Sequence, residues 1–167
     1  MLAATAFALL FSSVASAQQQ TSTDLPSWKK SMNRGVEYLR VRGQATDGSF
    51  SGSTGIGRTG LVVSALLHSG LTKQDPMVSK GLKYLEKHVQ ADGGIYAKNS
   101  LHRNYDTCIA MIAFSKANQD GSYSAIVNRA ELFVKQIQMD DSEGRTASDM
   151  DFGGAGYGKH QRPDLSN

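Results

Sequence analysis

Three stretches of this chain repeat one another, and a repeat restricts a fold more tightly than composition can. Arg34-Gly35-Val36-Glu37-Tyr38-Leu39, Lys80-Gly81-Leu82-Lys83-Tyr84-Leu85 and Arg129-Ala130-Glu131-Leu132-Phe133-Val134 each read basic, small, two variable residues, aromatic, aliphatic, at spacings of 46 and 49 residues. A glutamine follows each one (Gln44, Gln90, Gln138), and then a glycine-rich turn: Thr46-Asp47-Gly48-Ser49-Phe50, Ala91-Asp92-Gly93-Gly94-Ile95-Tyr96 and Asp151-Phe152-Gly153-Gly154-Ala155-Gly156-Tyr157. Units of this kind cannot bury their apolar faces singly, so they stack.

Within each unit the apolar spacing is helical. Val78, Leu82, Leu85 and Val89 step by 4, 3 and 4 residues; Ile126, Ala130, Phe133 and Ile137 repeat those steps, and Trp28, Met32, Val36 and Leu39 follow them less cleanly. Asp75-Pro76 predicts a helix start, a capping carboxylate ahead of a proline whose missing N–H has no intrahelical partner anyway. Gly43 and Gly70 mark expected helix ends. After the first two glycine-rich turns come Leu61–Leu67 (LVVSALL) and Cys108–Phe114 (CIAMIAF), apolar on all sides and therefore expected to be buried with the striped helices packed outside them. A third such helix is due after Pro163-Asp164-Leu165-Ser166-Asn167, where the chain stops. The turns explain their own composition. Glycine supplies positive φ, an aromatic can lie across the neighbouring hairpin, and a helix-end glutamine can reach orphan backbone groups of the turn.

Composition closes off other classes. With 17 Gly, 3 Pro and a single Cys in 167 residues, the chain is neither collagen-like nor a disulfide scaffold. Met1–Ala17 carries no charge, has an apolar run and ends in Ala15-Ser16-Ala17, as a secretory signal peptide does. Residues 18–27 then read as an N-terminal linker, and the location as exported, periplasmic or extracellular. No apolar run is long enough for a transmembrane segment. Residues 18–135 hold 15 basic and 9 acidic side chains, whereas 136–167 hold 3 and 6. The basic residues are spread over helix faces, which argues against nucleic acid as a partner.

The run Lys80-Gly81-x-x-Tyr84-Leu85…Gln90…Gly94-x-Tyr96 resembles the Gln–Trp repeat of squalene and other triterpene cyclases, which protein prenyltransferase β subunits share in looser form. Arg129-Ala130-x-x-Phe133-Val134…Gln138 matches its first half. Tyrosine or phenylalanine stands where those families usually have tryptophan. The sequence looks most like the exported prenyltransferase/squalene-oxidase repeat proteins of planctomycete-type bacteria. The resemblance covers about residues 28–167. It implies an all-α fold, an α/α toroid of about six helical hairpins with an inner ring of helices inside an outer one. About half of that ring would be present here, with repeats near 28–70, 75–118 and 122–167.

The resemblance also implies where chemistry would sit. Class II cyclases protonate an alkene with an Asp-x-Asp-Asp acid, one carboxyl of which must stay neutral. The nearest string, Asp149-Met150-Asp151-Phe152, lacks the final aspartate and reads as a turn-former. Prenyltransferase β subunits bind zinc through an Asp-x-Cys pair and a distant histidine. Asp106-Thr107-Cys108 looks like that pair, but His68, His88, His102 and His160 do not stand in a matching place. A helix N-cap (Asp106) beside a buried small residue (Cys108) explains the same letters. Gly48–Gly57 lacks the Gly-Lys-Ser/Thr ending of a phosphate loop, and Asp140-Asp141-Glu143 reads as a solvated loop. No catalytic, cofactor-binding or metal-ligating residue is assigned, and no cofactor is expected.

The expected function is that of an exported, non-catalytic scaffold. Its cavity would take an apolar, isoprenoid-like ligand, or its rim a protein or glycan partner. The alternative is a terpene cyclase or prenyltransferase-type enzyme whose catalytic residues lie outside this chain. A polysaccharide-degrading toroid would need paired acids on inner helices, and only Asp106 lies near one. An open half-ring would also expose an inner face and so favour association. N-terminal sequencing of the exported product should read from Gln18; a product that keeps Met1 would remove the signal-peptide assignment.

Overall fold

Among the described residues every regular element is a helix. The computed structural model describes residues 25–158. In order they form α1 (Leu25–Tyr38), α2 (Gly57–His68), α3 (Pro76–Glu86), α4 (Arg103–Ala117) and α5 (Ser124–Gln136), with a π turn at Leu39–Gly43 and 3-10 turns at Gly52–Thr54 and Asp141–Glu143. Among the described residues β-structure is limited to two isolated bridges, Val89–Ile95 and Gln138–Ala155.

α2 and α4 make the most extensive helix pair; α3 packs on α2, and α5 on α4. Gly60 permits the α2–α4 approach, because a Cβ there would stand 2.9 Å from Ile109 Cγ2 and 3.3 Å from the Ala110 nitrogen. The stripe of α3 behaves as its spacing requires: Val78, Leu82 and Leu85 are buried in the main core with Val63, Leu66, Ala110 and Phe114. On α5, Ala130 joins that core, while Phe133 and, just past the helix end, Ile137 form a second cluster with Tyr96. The Asp75 carboxylate caps α3 by accepting the Met77 N–H at 2.9 Å, with Pro76 as the first helical residue. α1 is the exception. Val36 and Leu39 reach the core, but Trp28 is 60% exposed, and α1 has no extensive contact with the other four helices.

The helices that the sequence marks as apolar on all sides are covered on one side only. Val63, Leu66, Ala110, Ala113 and Phe114 are buried, but Leu61 is 47% and Ile112 49% exposed. The expectation of burial all round is corrected accordingly. An apolar run shows that a helix has partners, not how many of its sides they cover.

The three glycine-rich turns share one hydrogen-bond frame. Ala45 donates to the Ser49 carbonyl at 2.9 Å, Gln90 to Gly94 at 2.8 Å and Met139 to Gly154 at 2.7 Å; Gly48, Gly93 and Gly153 donate back to Ala45, Gln90 and Met139. Ala45, Gln90 and Met139 are therefore equivalent, so the second glutamine sits one place later than the repeat alignment puts it. Gln44 and Gln138 do match, each donating from Nε2 to the turn-glycine carbonyl (Gly48 at 3.1 Å, Gly153 at 2.6 Å). Gln90 instead bridges the two arms of its own turn, donating to His88 at 3.0 Å and Tyr96 at 2.8 Å. The π turn after α1 accounts for the slip, since it holds one residue more per turn than an α-helix. Met139 and Gly153 are 14 residues apart where Ala45 and Gly48 are 3 apart, so the third turn also carries an insertion.

Each of the first two turns seats the helix that follows in the next unit. Gly48 and Gly93 have φ of +96° and +92°. A Cβ on Gly93 would stand 2.6 Å from the Arg129 carbonyl oxygen, and one on Gly48 closer still to that of Lys80. The Arg129 guanidinium adds hydrogen bonds to the Gln90 and Ala91 carbonyls at 2.9 and 3.0 Å. On the other side, the Phe50 and Ile95 N–H groups donate to buried threonine hydroxyls, Thr59 of α2 at 3.0 Å and Thr107 of α4 at 2.9 Å.

Gly93→Ala should therefore cost about 2–3 kcal/mol, combining a positive-φ penalty with a backbone clash. Gly35→Ala, where nothing lies within 4 Å of the Cβ position, should be neutral or stabilise by up to about 1 kcal/mol. Urea unfolding of the two variants measures the difference; equal midpoints would mean that the seat contributes nothing.

Candidate functional site

The chemistry-bearing residues gather where α2 and α4 begin. Asp106 lies in the first turn of α4 and is 4% exposed. Its Oδ1 accepts the N–H of Gly57, the first residue of α2, at 3.2 Å, and its Oδ2 accepts the Ser100 hydroxyl at 2.7 Å. The sequence suggests that Asp106 caps its own helix. α4 instead starts at Arg103, and the carboxylate is turned to the positive end of the neighbouring helix. Asn104 holds the third turn in the same way: its backbone N–H donates to the Tyr157 carbonyl at 2.9 Å and its Nδ2 to Gly156 at 3.0 Å.

These contacts frame a cleft of about 380 Å3, lined by Gly55, Gly57, Arg58, Ser100, His102, Tyr105, Asp106 and Tyr157. The His102 ring meets Tyr157 edge-on at 5.6 Å. Tyr105 lies against Gly57, where a Cβ would stand 3.0 Å from its ring. From this cleft a strip runs along the open sides of the two helices, with Leu61 and Ala65 on α2 and Cys108 and Ile112 on α4. At the opposite helix ends a second depression of about 260 Å3 is lined by Leu67, Leu71, Lys73, Lys116 and Asp120, among others. There the Lys73 ammonium is taken up by Asp120 at 2.5 Å and Ser122 at 2.7 Å.

The Asp106–Cys108 pair does not fit zinc. Both carboxylate oxygens of Asp106 hold structural donors, and the Cys108 thiol donates to Asn104 Oδ1 at 3.3 Å. Burial pushes that thiol up, away from the thiolate that a metal needs. Among the described residues no three His, Cys, Asp or Glu side chains come together as a metal site. His68 Nδ1 lies 2.8 Å from the Ser64 carbonyl, and His88 Nδ1 lies 2.9 Å from that of Tyr84; His160 is outside the described residues.

The acidic strings are likewise committed to their own turns. Asp149 accepts the Thr146 N–H at 2.7 Å and its hydroxyl at 3.0 Å, bonds that hold its carboxyl below the usual carboxylate range. A proton donor to an alkene needs the reverse shift. Asp151 pairs with Arg145 at 3.2 Å. Asp140 accepts the Ser142 hydroxyl and N–H, and Glu143 accepts the Asp140 N–H at 3.2 Å, which closes a capping box around Asp141–Glu143.

No family model matches the chain, and no curated protein is significantly similar to it. Sequence reasoning passed over Arg58, Tyr105, Asn104 and the two threonines. The signal for the threonines was present: Thr59 and Thr107 each stand just ahead of an apolar run. Alkylation of Cys108 by iodoacetamide should be slower than that of an unstructured cysteine peptide at pH 7.5 and should still be rising at pH 9. A plateau below pH 8 would mean an activated thiolate.

Proposed function

We propose that this chain is a ligand- or partner-binding scaffold of the squalene-cyclase/prenyltransferase-like repeat kind, exported, and built as part of an α/α toroid in which α2 and α4 are inner helices and α1, α3 and α5 outer ones. The observation that carries this reading is the one-sided cover of α2 and α4. α3 and α5 pack on them, while Leu61 and Ile112 remain about half exposed (47% and 49%) beside a cleft with Arg58, His102 and Tyr105 at its mouth. An apolar strip with a few polar groups at one end suits an elongated apolar molecule carrying a polar head. An isoprenoid-like ligand is of that class. The carboxylates that catalysis would call on are engaged in structural bonds, which favours binding over turnover.

Farnesol serves as the probe. The chain should bind it, and Ile112→Glu and Leu61→Glu should each weaken binding at least tenfold while leaving the melting temperature within about 2 °C, since neither side chain belongs to the buried core. Binding that is absent from the unmodified chain, or unaffected by both variants, would remove this reading.

A further inference from the structure

The cleft at the start of α2 and α4 holds one charge that the fold does not use. Asp106 is engaged on both oxygens, by the Gly57 N–H at 3.2 Å and the Ser100 hydroxyl at 2.7 Å. Arg58 is not: among the described residues its guanidinium makes neither a hydrogen bond nor an ion pair. The other described arginines from α2 onward are each held. Arg103 donates to the Ser100 carbonyl and lies over the Tyr96 ring at 5.1 Å, Arg129 binds the Gln90 and Ala91 carbonyls, and Arg145 pairs with Asp151. Nor does α2 call for a cation at this position. Arg58 is in its first turn, where a positive charge opposes the helix dipole, and that turn carries no acidic residue.

Spacing ties this charge to the apolar strip. Arg58 stands three residues before Leu61 and seven before Ala65, so the three share one face of α2. Tyr105 stands in the same relation to Cys108 and Ile112 on α4. Arg58 and Tyr105 both line the cleft, and the Tyr105 hydroxyl also has no hydrogen bond among the described residues. Each helix thus presents a polar group at its start and less polar residues over the next ~10 Å of the same side.

We infer that the head group taken by this cleft is a single carboxylate, paired with Arg58 and accepting the Tyr105 hydroxyl, so that the ligand is an apolar acid whose tail lies along Leu61 and Ile112. The inference rests on the reading of the strip as a ligand site and adds the chemistry of the head. A guanidinium presents two parallel N–H groups that match the two oxygens of a carboxylate. Charge sets the limit. Arg58 is the one Lys or Arg among the described residues that line the cleft, and the His102 ring packs against Tyr157. One cation neutralises one negative charge. A diphosphate would bring further negative charge beside the buried Asp106 carboxylate, and an alcohol would leave the guanidinium unmatched.

Equilibrium dialysis at pH 7.5 with three ligands that share one tail, farnesol, farnesoic acid and farnesyl diphosphate, tests it. Farnesoate should bind about tenfold more tightly than farnesol, the gain of a charge-assisted pair over a neutral hydrogen bond, and more tightly than the diphosphate. Arg58→Gln should remove that preference while leaving farnesol within about twofold. Arg58→Lys, which keeps the charge without the planar fork, should restore part of it. Tyr105→Phe should weaken farnesoate more than farnesol, and Ile112→Glu should weaken both, as a shared tail site requires. Farnesol bound as tightly as farnesoate would overturn the carboxylate and leave the apolar site standing; tighter binding of the diphosphate would overturn the single charge. If none of the three binds, the site and its head group fall together. An Arg58→Gln loss equal for farnesol and farnesoate would make Arg58 a packing residue, and farnesoate binding indifferent to Ile112→Glu would make it a surface ion pair only. Either result overturns the proposal. Far-UV circular dichroism of each variant checks that its helices are intact.

Discussion

A backbone-to-backbone contact with no room for a side chain organises this molecule. Gly48 and Gly93 let the carbonyls of Lys80 and Arg129 come closer than a Cβ would allow, at φ values an L side chain rarely takes. That approach fixes where α3 and α5 cross their turns. Gly81 can then press on Val63 of α2, and Ala130 is buried in the same core. The same turns donate to Thr59 and Thr107, which joins turn, following helix and next unit into one unit of packing. Each of the first two turns is thus completed by the helix of the segment that follows it.

The residues that carry this arrangement were largely visible as letters. The basic–small–aromatic stripes, the Asp75-Pro76 start and the glycine turns led to the right helices in the right order. Two kinds of detail were hidden. A π turn at Leu39–Gly43 absorbs one residue, so counting along the chain misaligned Gln90, and the third turn carries an insertion after Met139. Periodicity also reports that a helix has an apolar side without reporting whether a neighbour lies on it, which is why Leu61 and Ile112 read as core and prove half exposed.

The candidate site was less legible because its bonds span the repeat. Asp106 reaches Gly57, 49 residues away, and Asn104 reaches Gly156, 52 residues away. A motif read locally gives Asp-x-Cys a metal and gives Asp106 a cap on its own helix. Only the packing of α2 beside α4 shows that one carboxylate oxygen belongs to the start of α2 and the other to Ser100. The cysteine two residues on faces Asn104, so the pair that looks joined in sequence is divided between two hydrogen-bond networks.

The direction of the carboxyl shifts bears on what such a molecule can do. Asp47, Asp120, Glu131, Asp140 and Asp149 are all drawn below their ordinary range, by turn hydroxyls and N–H groups or by a lysine. At Asp75 burial pushes upward and is outweighed by Arg40 and the Met77 N–H. A general acid has to be moved the other way, by desolvation or by a second negative charge. Among the described residues these shifted carboxyl groups hold turns and helix ends, except Glu131, which pairs with Lys135 along α5, and every buried side-chain nitrogen and oxygen has a partner. The polar groups therefore serve the scaffold. Among the described residues the open side of α2 and α4, with Leu61 and Ile112 half exposed, adjoins the cleft that carries Arg58, His102 and Tyr105, so apolar surface and polar groups meet at one end of the helix pair.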